Sequence, residues 1–375
     1  MRRLRVQILA FALAALALAS GAAAARPADA AVSWVVNGRG FGHGVGMSAY
    51  GAYGYALEGK SYRFILGHYY TGTTIGTLEG AQVVRVLLDV SGDDIGFSGA
   101  TSACGQALDP ARSYQAHRDG NTVKLRSAAG KPLASCGRTL RAAGQGRVAI
   151  DGTWYRGAFE AVPTESDPGS LNAINALALE QYVKGVMPNE VPASWPAEEL
   201  KAQSLAVRSI ALTGQVDGNG FDLYADTRSQ VYEGLESEEP QTNAVVAETR
   251  GQVVMYGGEV AQTFYSACSG GHTESVVNVF GSAIPYLVGV PDPYDFHCPL
   301  HKWTLKFTGA EISAKLGGYL KGKLKQVVIT RRGVSPRIIS AKLIGTGGVS
   351  TVTGEQLEVA LGGYDTWMTF RKVVG

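Results

Sequence analysis

The spacing of apolar residues divides the chain into a strand-rich part and a shorter helical part. Between residues 83 and 162, short runs alternate apolar and polar positions and are separated by turn residues, as antiparallel strands are. The clearest runs are Val83–Val90, Thr122–Arg126, Val148–Ile150 and Tyr155–Ala161, and the pattern returns at Gln252–Tyr256, Val260–Tyr265, Gln326–Thr330 and Ile338–Ile344. We therefore predict an α+β fold with largely antiparallel sheets, two lobes and a central groove.

Two adjacent helices are predicted in the middle of the chain. Ala176–Val186 has the 3.6-residue apolar period of the first helix. The segment Pro188–Pro192 is expected to end this helix in a stiff loop that carries Glu190. The second helix is expected to start near Trp195–Pro196, with Ser194 as its N-cap.

The first thirty residues have the pattern of a secretory signal peptide. Arginines precede an apolar stretch over Val6–Ala19, and Ala28–Ala30 forms a small-residue cleavage site. The apolar stretch is short for a membrane span. We expect a secreted protein without strong membrane association after cleavage; cleavage after Ala25 and retention as an anchor are the alternatives.

Removal of residues 1–30 changes the charge of the protein. It takes away four arginines and one aspartate, so the formal net charge moves from +2 to −1. A protein without a basic excess lacks the electrostatic signature of nucleic-acid binding. Nucleic acid is therefore not expected as a partner.

Four cysteines remain after export. An even number in an oxidising compartment favours disulfides, and chain order suggests Cys104–Cys136 and Cys268–Cys298. A zinc site is the alternative for the second pair, because His272, His297 and His301 lie at spacings that zinc could use. Both interpretations stay open.

A glycine-rich segment with one histidine follows a predicted strand at Val32–Val36. In Gly38–Ser48, alternating glycines would let the backbone approach a ligand closely, and Ser48 could cap a following helix. The spacing differs from the G-x-G-x-x-G of dinucleotide-binding loops. His43 is a candidate binding residue; the alternative is a structural loop in which it fills a hydrogen-bonding position.

Glu190 is the candidate catalytic residue. Its neighbours in sequence are apolar: Val186, Met187, Val191 and Trp195. An apolar environment raises the pKa of a carboxyl group, as a general acid at neutral pH requires. On the helix that follows, Lys201, Ser204 and Arg208 lie together on one polar face.

Together these segments resemble the stage II sporulation protein D family, also called the LytB amidase-enhancer family. The matching blocks are Gly38–Ala52, Gly59–Tyr62, Leu179–Leu212, Ser229–Tyr232, Thr249–Val253, Ser266–Glu274 and Tyr286–Tyr294. In that family the glycine–histidine block usually closes the domain, whereas here it comes first, which indicates a circular permutation. Ala49 also replaces a residue that is usually Gln.

The resemblance implies a peptidoglycan lytic transglycosylase that cleaves glycan strands and needs no cofactor. Glu190 matches the family's catalytic glutamate, and Arg208 matches a residue needed at the same site. Other acids are present, but no spacing marks one as a partner for Glu190, which favours the lytic route over hydrolysis by two carboxyl groups. The alternative is a non-catalytic amidase enhancer or wall-binding module with a cell-wall amidase as partner.

The remaining candidates are expected to line the glycan groove. They are His43, Ser48, Gln230, Tyr232, Tyr265, Ser269 and Thr273, and for each of them packing in the core is the alternative. Ser269 does not lie in a G-x-S-x-G nucleophile elbow.

The predicted organisation is a signal peptide at 1–30, a glycine–histidine block at 31–76, a β-rich lobe at 77–165 and a catalytic region at 166–375. The block is expected to fold onto the catalytic lobe. It would then bring His43 to Glu190 and the Val32–Val36 strand to Trp367–Val373.

Overall fold

The computed structural model describes residues 32–165 and 167–374. The predicted signal peptide lies outside these residues. The described strands are β1 (Val32–Gly38), β2 (Met47–Ser48), β3 (Thr74–Thr77), β4 (Val83–Ser91), β5 (Asp94–Ala103), β6 (Gln106–Ala107), β7 (Ser113–Asp119), β8 (Thr122–Ser127), β9 (Pro132–Ser135), β10 (Leu140–Ile150), β11 (Thr153–Pro163), β12 (Leu171–Ala178), β13 (Leu223–Tyr224), β14 (Gln252–Tyr256), β15 (Glu259–Val260), β16 (Tyr265–Ser266), β17 (Trp303–Thr308), β18 (Leu324–Arg332), β19 (Ile338–Gly345), β20 (Gly348–Thr353) and β21 (Met368–Val374).

The described α-helices are α1 (Ala49–Leu57), α2 (Tyr62–Tyr69), α3 (Leu179–Glu190), α4 (Ala197–Thr213), α5 (Pro240–Glu248), α6 (Val276–Phe280), α7 (Gly309–Lys315) and α8 (Gly354–Leu361). Two short 3₁₀ turns cover Leu235–Ser237 and Asp295–His297. The fold is α+β with mainly antiparallel sheets, which confirms the predicted class. Across the described residues, no helix is both long and apolar enough to cross a membrane.

The largest sheet has ten strands in the order β13-β4-β12-β11-β10-β5-β7-β8-β9, with β6 beside β5. β12 is buried along almost its whole length. A strand buried on both faces reads as a continuous apolar run, which periodicity does not distinguish from a helix. For this reason the prediction of a helix from Ala176 is wrong: β12 continues to Ala178, and α3 begins at Leu179.

The predicted loop around Glu190 is also corrected. α3 continues through Pro188, and Glu190 is its last residue. Two hydrogen bonds extend the helix past the proline: the Asn189 side chain donates to the Gly185 carbonyl (2.8 Å), and the Val191 N–H donates to the Met187 carbonyl (3.1 Å). Glu190 therefore stands on a helix, which is a more rigid support than a loop.

The start of α4 differs from the prediction by two residues. Pro196, not Ser194, occupies the N-cap position, and no side chain caps the helix. The Pro196 carbonyl accepts a hydrogen bond from the Leu200 N–H (3.1 Å), which closes the first turn. Ser48, by contrast, is the N-cap of α1 as predicted, with its hydroxyl accepting from the Gly51 N–H.

The two ends of the described chain meet in a three-stranded antiparallel sheet, β17-β1-β21. The register runs from Val32 opposite Val374 to Gly38 opposite Met368. The predicted packing of the Val32–Val36 strand beside the C-terminal residues is confirmed. The glycine-rich segment leaves this sheet at Gly38, and its next strand, β2, pairs in parallel with β16.

Both expected disulfides are present. Cys104–Cys136 lies in the β-rich part, and Cys268–Cys298 joins the segment after β16 to the 3₁₀ turn Asp295–His297. Because Cys268 and Cys298 are bonded to each other, they do not offer two thiolates to a metal ion. Of the two alternatives for this pair, the structure contains the disulfide.

Candidate active site

A cavity of about 570 Å³ lies at the C-terminal ends of α3 and α4. It brings together four of the predicted residues: His43, Glu190, Gln230 and Tyr265. The other lining residues are Ile210, Gly214, Leu223, Thr227, Arg228, Ser229, Val231, Gln262, Phe264 and Phe280. Apart from Glu190 and Arg228, the wall is neutral and consists of aromatic rings, apolar side chains, and amide and hydroxyl groups.

Glu190 supplies the one carboxyl group among the described residues that line this cavity. Burial raises the pKa of the Glu190 carboxyl, while hydrogen bonds from the Tyr265 hydroxyl and the Val231 backbone act in the opposite direction. Desolvation disfavours the charged form of an acid. The group is therefore better suited to hold and release a proton near neutral pH than a solvent-exposed glutamate would be.

A chain of hydrogen bonds leads from the core to Glu190. The Tyr182 hydroxyl donates to Oε1 of Gln230 (3.2 Å), and Nε2 of Gln230 donates to the Tyr265 oxygen (2.8 Å). With its oxygen occupied as an acceptor, the Tyr265 hydroxyl is free to donate to the Glu190 carboxylate. Burial raises the pKa of Tyr265 well above its usual value, so this hydroxyl stays protonated.

His43 faces the same cavity as a neutral ring. Its Nδ1 accepts a hydrogen bond from the Val45 N–H (2.9 Å), which leaves the proton of the neutral ring on Nε2. Burial and the nearby Arg337 cation lower the pKa of His43 to about 4, although a hydrogen bond to the Tyr265 backbone acts to raise it. The ring also contacts Phe264, at 6.0 Å between centroids. His43 can therefore shape the wall and bond a ligand, but it carries no charge at neutral pH.

Two glycines of the same loop have conformations that a side chain would disrupt. Gly44 has φ +69°, and a Cβ there would overlap the guanidinium group of Arg337. Gly46 has φ +71°, and a Cβ there would overlap the Phe264 carbonyl. Left-handed backbone and close contact together require glycine at both positions.

Comparison with known proteins finds a family match for the part of the chain that carries Glu190. Residues 167–256, which include α3 and α4, match the family model described as Stage II sporulation protein. The chain therefore contains a region that matches the SpoIID family.

Three curated relatives are similar to the chain over about half of its length. The amidase enhancer of Bacillus subtilis is 32% identical over 229 residues, which are 58% of this chain and 31% of the relative. Stage II sporulation protein D of the same organism is 30% identical over 207 residues, 51% of this chain and 59% of the relative. An uncharacterized protein of Brachyspira hyodysenteriae is 36% identical over 173 residues, 45% of this chain and 46% of the relative. The chain thus spans less than two thirds of each of these proteins.

Arg208 lies within the residues that match the family model but does not line the cavity. Its side chain is fully buried, and its Nε and Nη2 atoms bind both oxygens of Glu180 at 3.0 and 2.9 Å. The Gln252 carbonyl takes a further hydrogen bond from Nη1 (2.9 Å). The expectation that Arg208 joins Glu190 is not met, because it lies on the face of α4 that packs on the first turn of α3. The cavity receives Ile210 from another face of α4.

Two of the predicted serines, Ser48 and Ser269, are buried, and their hydroxyls are hydrogen-bonded to aspartates. The Ser48 hydroxyl donates to Oδ1 of Asp295 (2.8 Å), and the Ser269 hydroxyl donates to Oδ2 of Asp292 (2.7 Å). Buried hydroxyl groups need such partners. These contacts hold the loops together, and neither serine lines the cavity.

Tyr232 and Thr273 are likewise core residues of the described structure. The Tyr232 hydroxyl donates to Oδ1 of Asn175 (2.7 Å), and the Thr273 hydroxyl accepts from the Val290 N–H (2.8 Å). Both side chains are almost completely buried. They support the domain from inside and do not line the cavity, contrary to expectation.

Two aromatic residues of the cavity were missed by the sequence analysis. Phe264 and Phe280 contact each other at 4.8 Å between centroids, and His43 lies 5.5 Å from the Phe280 ring. Phe280 ends the five-residue helix α6 and is 49% exposed. Phe280 is followed by a glycine and belongs to no periodic apolar pattern in the sequence. Only the tertiary structure shows that it lines the cavity together with Phe264.

One group of side chains in the described residues has the geometry to hold a metal ion. Asp93, Asp94 and His117 lie at the β5–β7 pair of the large sheet, with ligand atoms within 4.8 Å of one another. None of the three lines the cavity.

Proposed function

We propose that this protein is an exported, cell-wall-associated lytic transglycosylase that cleaves peptidoglycan glycan strands. The observation that carries the proposal is Glu190, a partly buried carboxyl of raised pKa that is bonded to Tyr265 in a neutral, aromatic cavity. The match to the SpoIID family and the names of the relatives support an action on the cell wall.

The reaction needs one group that first gives and then takes a proton. Protonated Glu190 would donate its proton to the glycosidic oxygen that follows N-acetylmuramic acid, and the bond from that sugar's C1 to the oxygen would break. The resulting carboxylate would accept the proton of the C6 hydroxyl as its oxygen bonds to C1. The products are a 1,6-anhydro end and a free hydroxyl end, and Glu190 is protonated again.

The absence of a second carboxyl in the described cavity wall favours this route over hydrolysis. Conventional glycosidases place two carboxyl groups on either side of the bond. Asp226, which precedes the lining residue Thr227, is exposed and forms a two-pronged ion pair with Arg228. Both of its oxygens are therefore bonded to a cation, and it does not line the cavity itself.

Digestion of purified glycan strands tests the proposal. The mature protein should release fragments with 1,6-anhydro ends from strands without stem peptides, and fewer from strands that keep them, as judged by mass spectrometry. Products with reducing ends, each heavier by one water, would indicate a hydrolase and contradict the lytic route.

A second function is favoured by the similarity to an amidase enhancer, which covers 58% of this chain. In that role the protein would bind strands and stimulate a cell-wall amidase without cutting glycan. Intact strands after digestion, together with faster release of stem peptides by an added amidase, would select this function.

A further inference from the structure

A cluster of partly exposed aromatic rings joins helix α1 to the segment that follows Glu190. It consists of Tyr50, Tyr53, Trp195 and His297, and we call these four residues the aromatic platform. The Trp195 ring lies 4.9 Å from Tyr50 and 4.8 Å from Tyr53 between centroids, and Tyr53 lies 5.4 Å from His297. Every ring is at least partly exposed to solvent. Trp195 also packs against the core around α3 and α4, so the platform has a buried base and a face that remains in contact with water.

The platform is connected through the backbone to the two residues that define the site. Trp195 follows Glu190 by five residues, through a turn in which the Trp195 N–H donates to the Pro192 carbonyl (3.0 Å). The Tyr50 N–H donates to the Ala267 carbonyl (3.1 Å), two residues after Tyr265. None of the four rings lines the cavity itself. The platform is therefore a surface separate from the cavity that short backbone segments connect to residues of the cavity wall.

The chemistry of the platform suits a sugar. Flat faces of Tyr and Trp rings pack on the apolar faces of sugar rings, while phenol and indole groups hydrogen-bond to hydroxyls. The three Tyr and Trp side chains of the platform are uncharged. A charged partner would find no complementary charge on them.

We propose that the aromatic platform is a second glycan-binding site, which holds sugar rings of a strand that extends beyond the cavity. The inference rests on the proposed function, because it takes a glycan strand as the ligand. A polymer seated at Glu190 must leave the cavity, and the platform is an aromatic surface that short backbone segments connect to both Glu190 and Tyr265. It would favour long strands over short fragments.

Binding should be measured in a Glu190→Gln background, so that strands remain intact. The ligands are long strands without stem peptides and a single disaccharide unit of the same strand. Tyr53→Ala should weaken binding of long strands about tenfold, equal to about 1.4 kcal/mol, and leave binding of the disaccharide unchanged. Ala is a good helix former, so α1 should persist.

Three further variants make the test specific. Tyr53→Phe keeps the ring and should retain most of the affinity. Trp195→Phe should reduce long-strand binding without the cavity that Ala would leave. Phe64→Ala, which removes an exposed aromatic of α2 outside the platform, should change neither affinity.

Two outcomes would overturn the platform alone. Equal losses for the long strand and the disaccharide would mean that Tyr53 acts through the cavity. Unchanged strand binding, with loss of amidase stimulation, would make the platform a protein-binding surface instead. A parent protein that binds neither ligand would overturn the proposed function together with the platform. The two failures are distinguishable, because failure of the proposed function is seen in the parent protein, whereas failure of the platform alone is seen only in the variants.

Discussion

The two ends of α3 each carry a glutamate, and the protein surrounds them differently. At the first turn, Glu180 accepts two hydrogen bonds from the fully buried Arg208 and one from the Gly251 N–H (3.0 Å). At the last residue, Glu190 has a neutral partner, the Tyr265 hydroxyl, and borders a cavity. One carboxyl is bonded to a cation, whereas the other is bonded to a neutral hydroxyl.

This difference indicates separate roles for the two glutamates: Glu180 anchors the helix, and Glu190 is placed for proton transfer. An arginine that binds both oxygens of a carboxylate fixes it in position, which locks α3 to α4. A carboxyl that is desolvated beside a neutral hydroxyl has no bonded cation that favours its charged form, so it holds a proton more readily and can also release it. We infer that Arg208 serves Glu190 at a distance, by holding the helix on which Glu190 stands.

The largest effect is expected from Glu190→Gln. The substitution keeps the size of the side chain but removes the proton that it would transfer, and general acid–base catalysis is typically worth about 10²–10⁴-fold in rate. Release of anhydro ends should fall by that factor, while strand binding and the melting temperature stay near the wild-type values. Undiminished activity in this variant would remove Glu190 from the reaction.

Arg208→Ala should act mainly on stability. It leaves Glu180 without its cation, and breaking a buried ion pair typically costs about 3–5 kcal/mol. Denaturant unfolding should show this loss in the free energy of unfolding. Lys201→Ala, which removes a partly exposed pair with Glu248, should cost less than about 1 kcal/mol.

A pH profile distinguishes this anchoring role from a catalytic one. Below its melting temperature, the Arg208→Ala enzyme should keep the wild-type pH dependence of kcat/KM, because the partners of Glu190 are untouched. A displaced profile in a folded protein would show that Arg208 acts electrostatically at the site.

Tyr265→Phe should change the pH profile while preserving most of the fold. The Tyr265 hydrogen bond lowers the pKa of Glu190, so its removal should raise that pKa. Glu190 is an acid only while protonated, and activity is lost as pH rises through its pKa. The alkaline limb of kcat/KM should therefore move to higher pH, by about one pH unit if the hydrogen bond is worth about 1.5 kcal/mol.

Tyr232→Phe is the matched control for this variant. It also removes a buried phenol hydroxyl, but one that is bonded to Asn175 away from the cavity. Its alkaline limb should coincide with that of the wild type. A shift of similar size in both variants would attribute the effect to general loosening of the domain.

The sequence could predict features that depend on local chemistry or on chain order. The apolar neighbours of Glu190 indicated a raised pKa, and the pairing of the Val32–Val36 strand with the C-terminal strand followed from the reversed order of the family's blocks. The even number of cysteines indicated both disulfides. In these cases the deciding residues are close in sequence or are few enough to enumerate.

Features that depend on which distant residue of the chain a side chain contacts were not predictable. Lys201, Ser204 and Arg208 form a polar face of α4, which on its own resembles a solvent-facing surface. The acid that pairs with Arg208 lies 28 residues earlier, on another helix. Likewise, the hydroxyls of Tyr232 and Tyr265 are equivalent in a sequence, and only the fold brings one of them to Glu190.

The smallest expected effect concerns His43, and it tests whether Glu190 is the group that sets the pH dependence of the site. The pKa of His43 is lowered to about 4, so its charge should not change between about pH 5 and 8, where an ordinary histidine titrates. In His43→Asn, the amide oxygen can accept the Val45 hydrogen bond that Nδ1 accepts now. We expect a rate reduced only several-fold, about 1 kcal/mol, through loss of the ring contacts with Phe264 and Phe280, and a pH profile of unchanged shape. His117→Asn, in the β-rich part, should change neither rate nor shape. A limb near the usual histidine pKa that disappears in His43→Asn alone would mean that two groups titrate in the cavity, and the contrast between an ion-paired Glu180 and a singly titrating Glu190 would then be wrong.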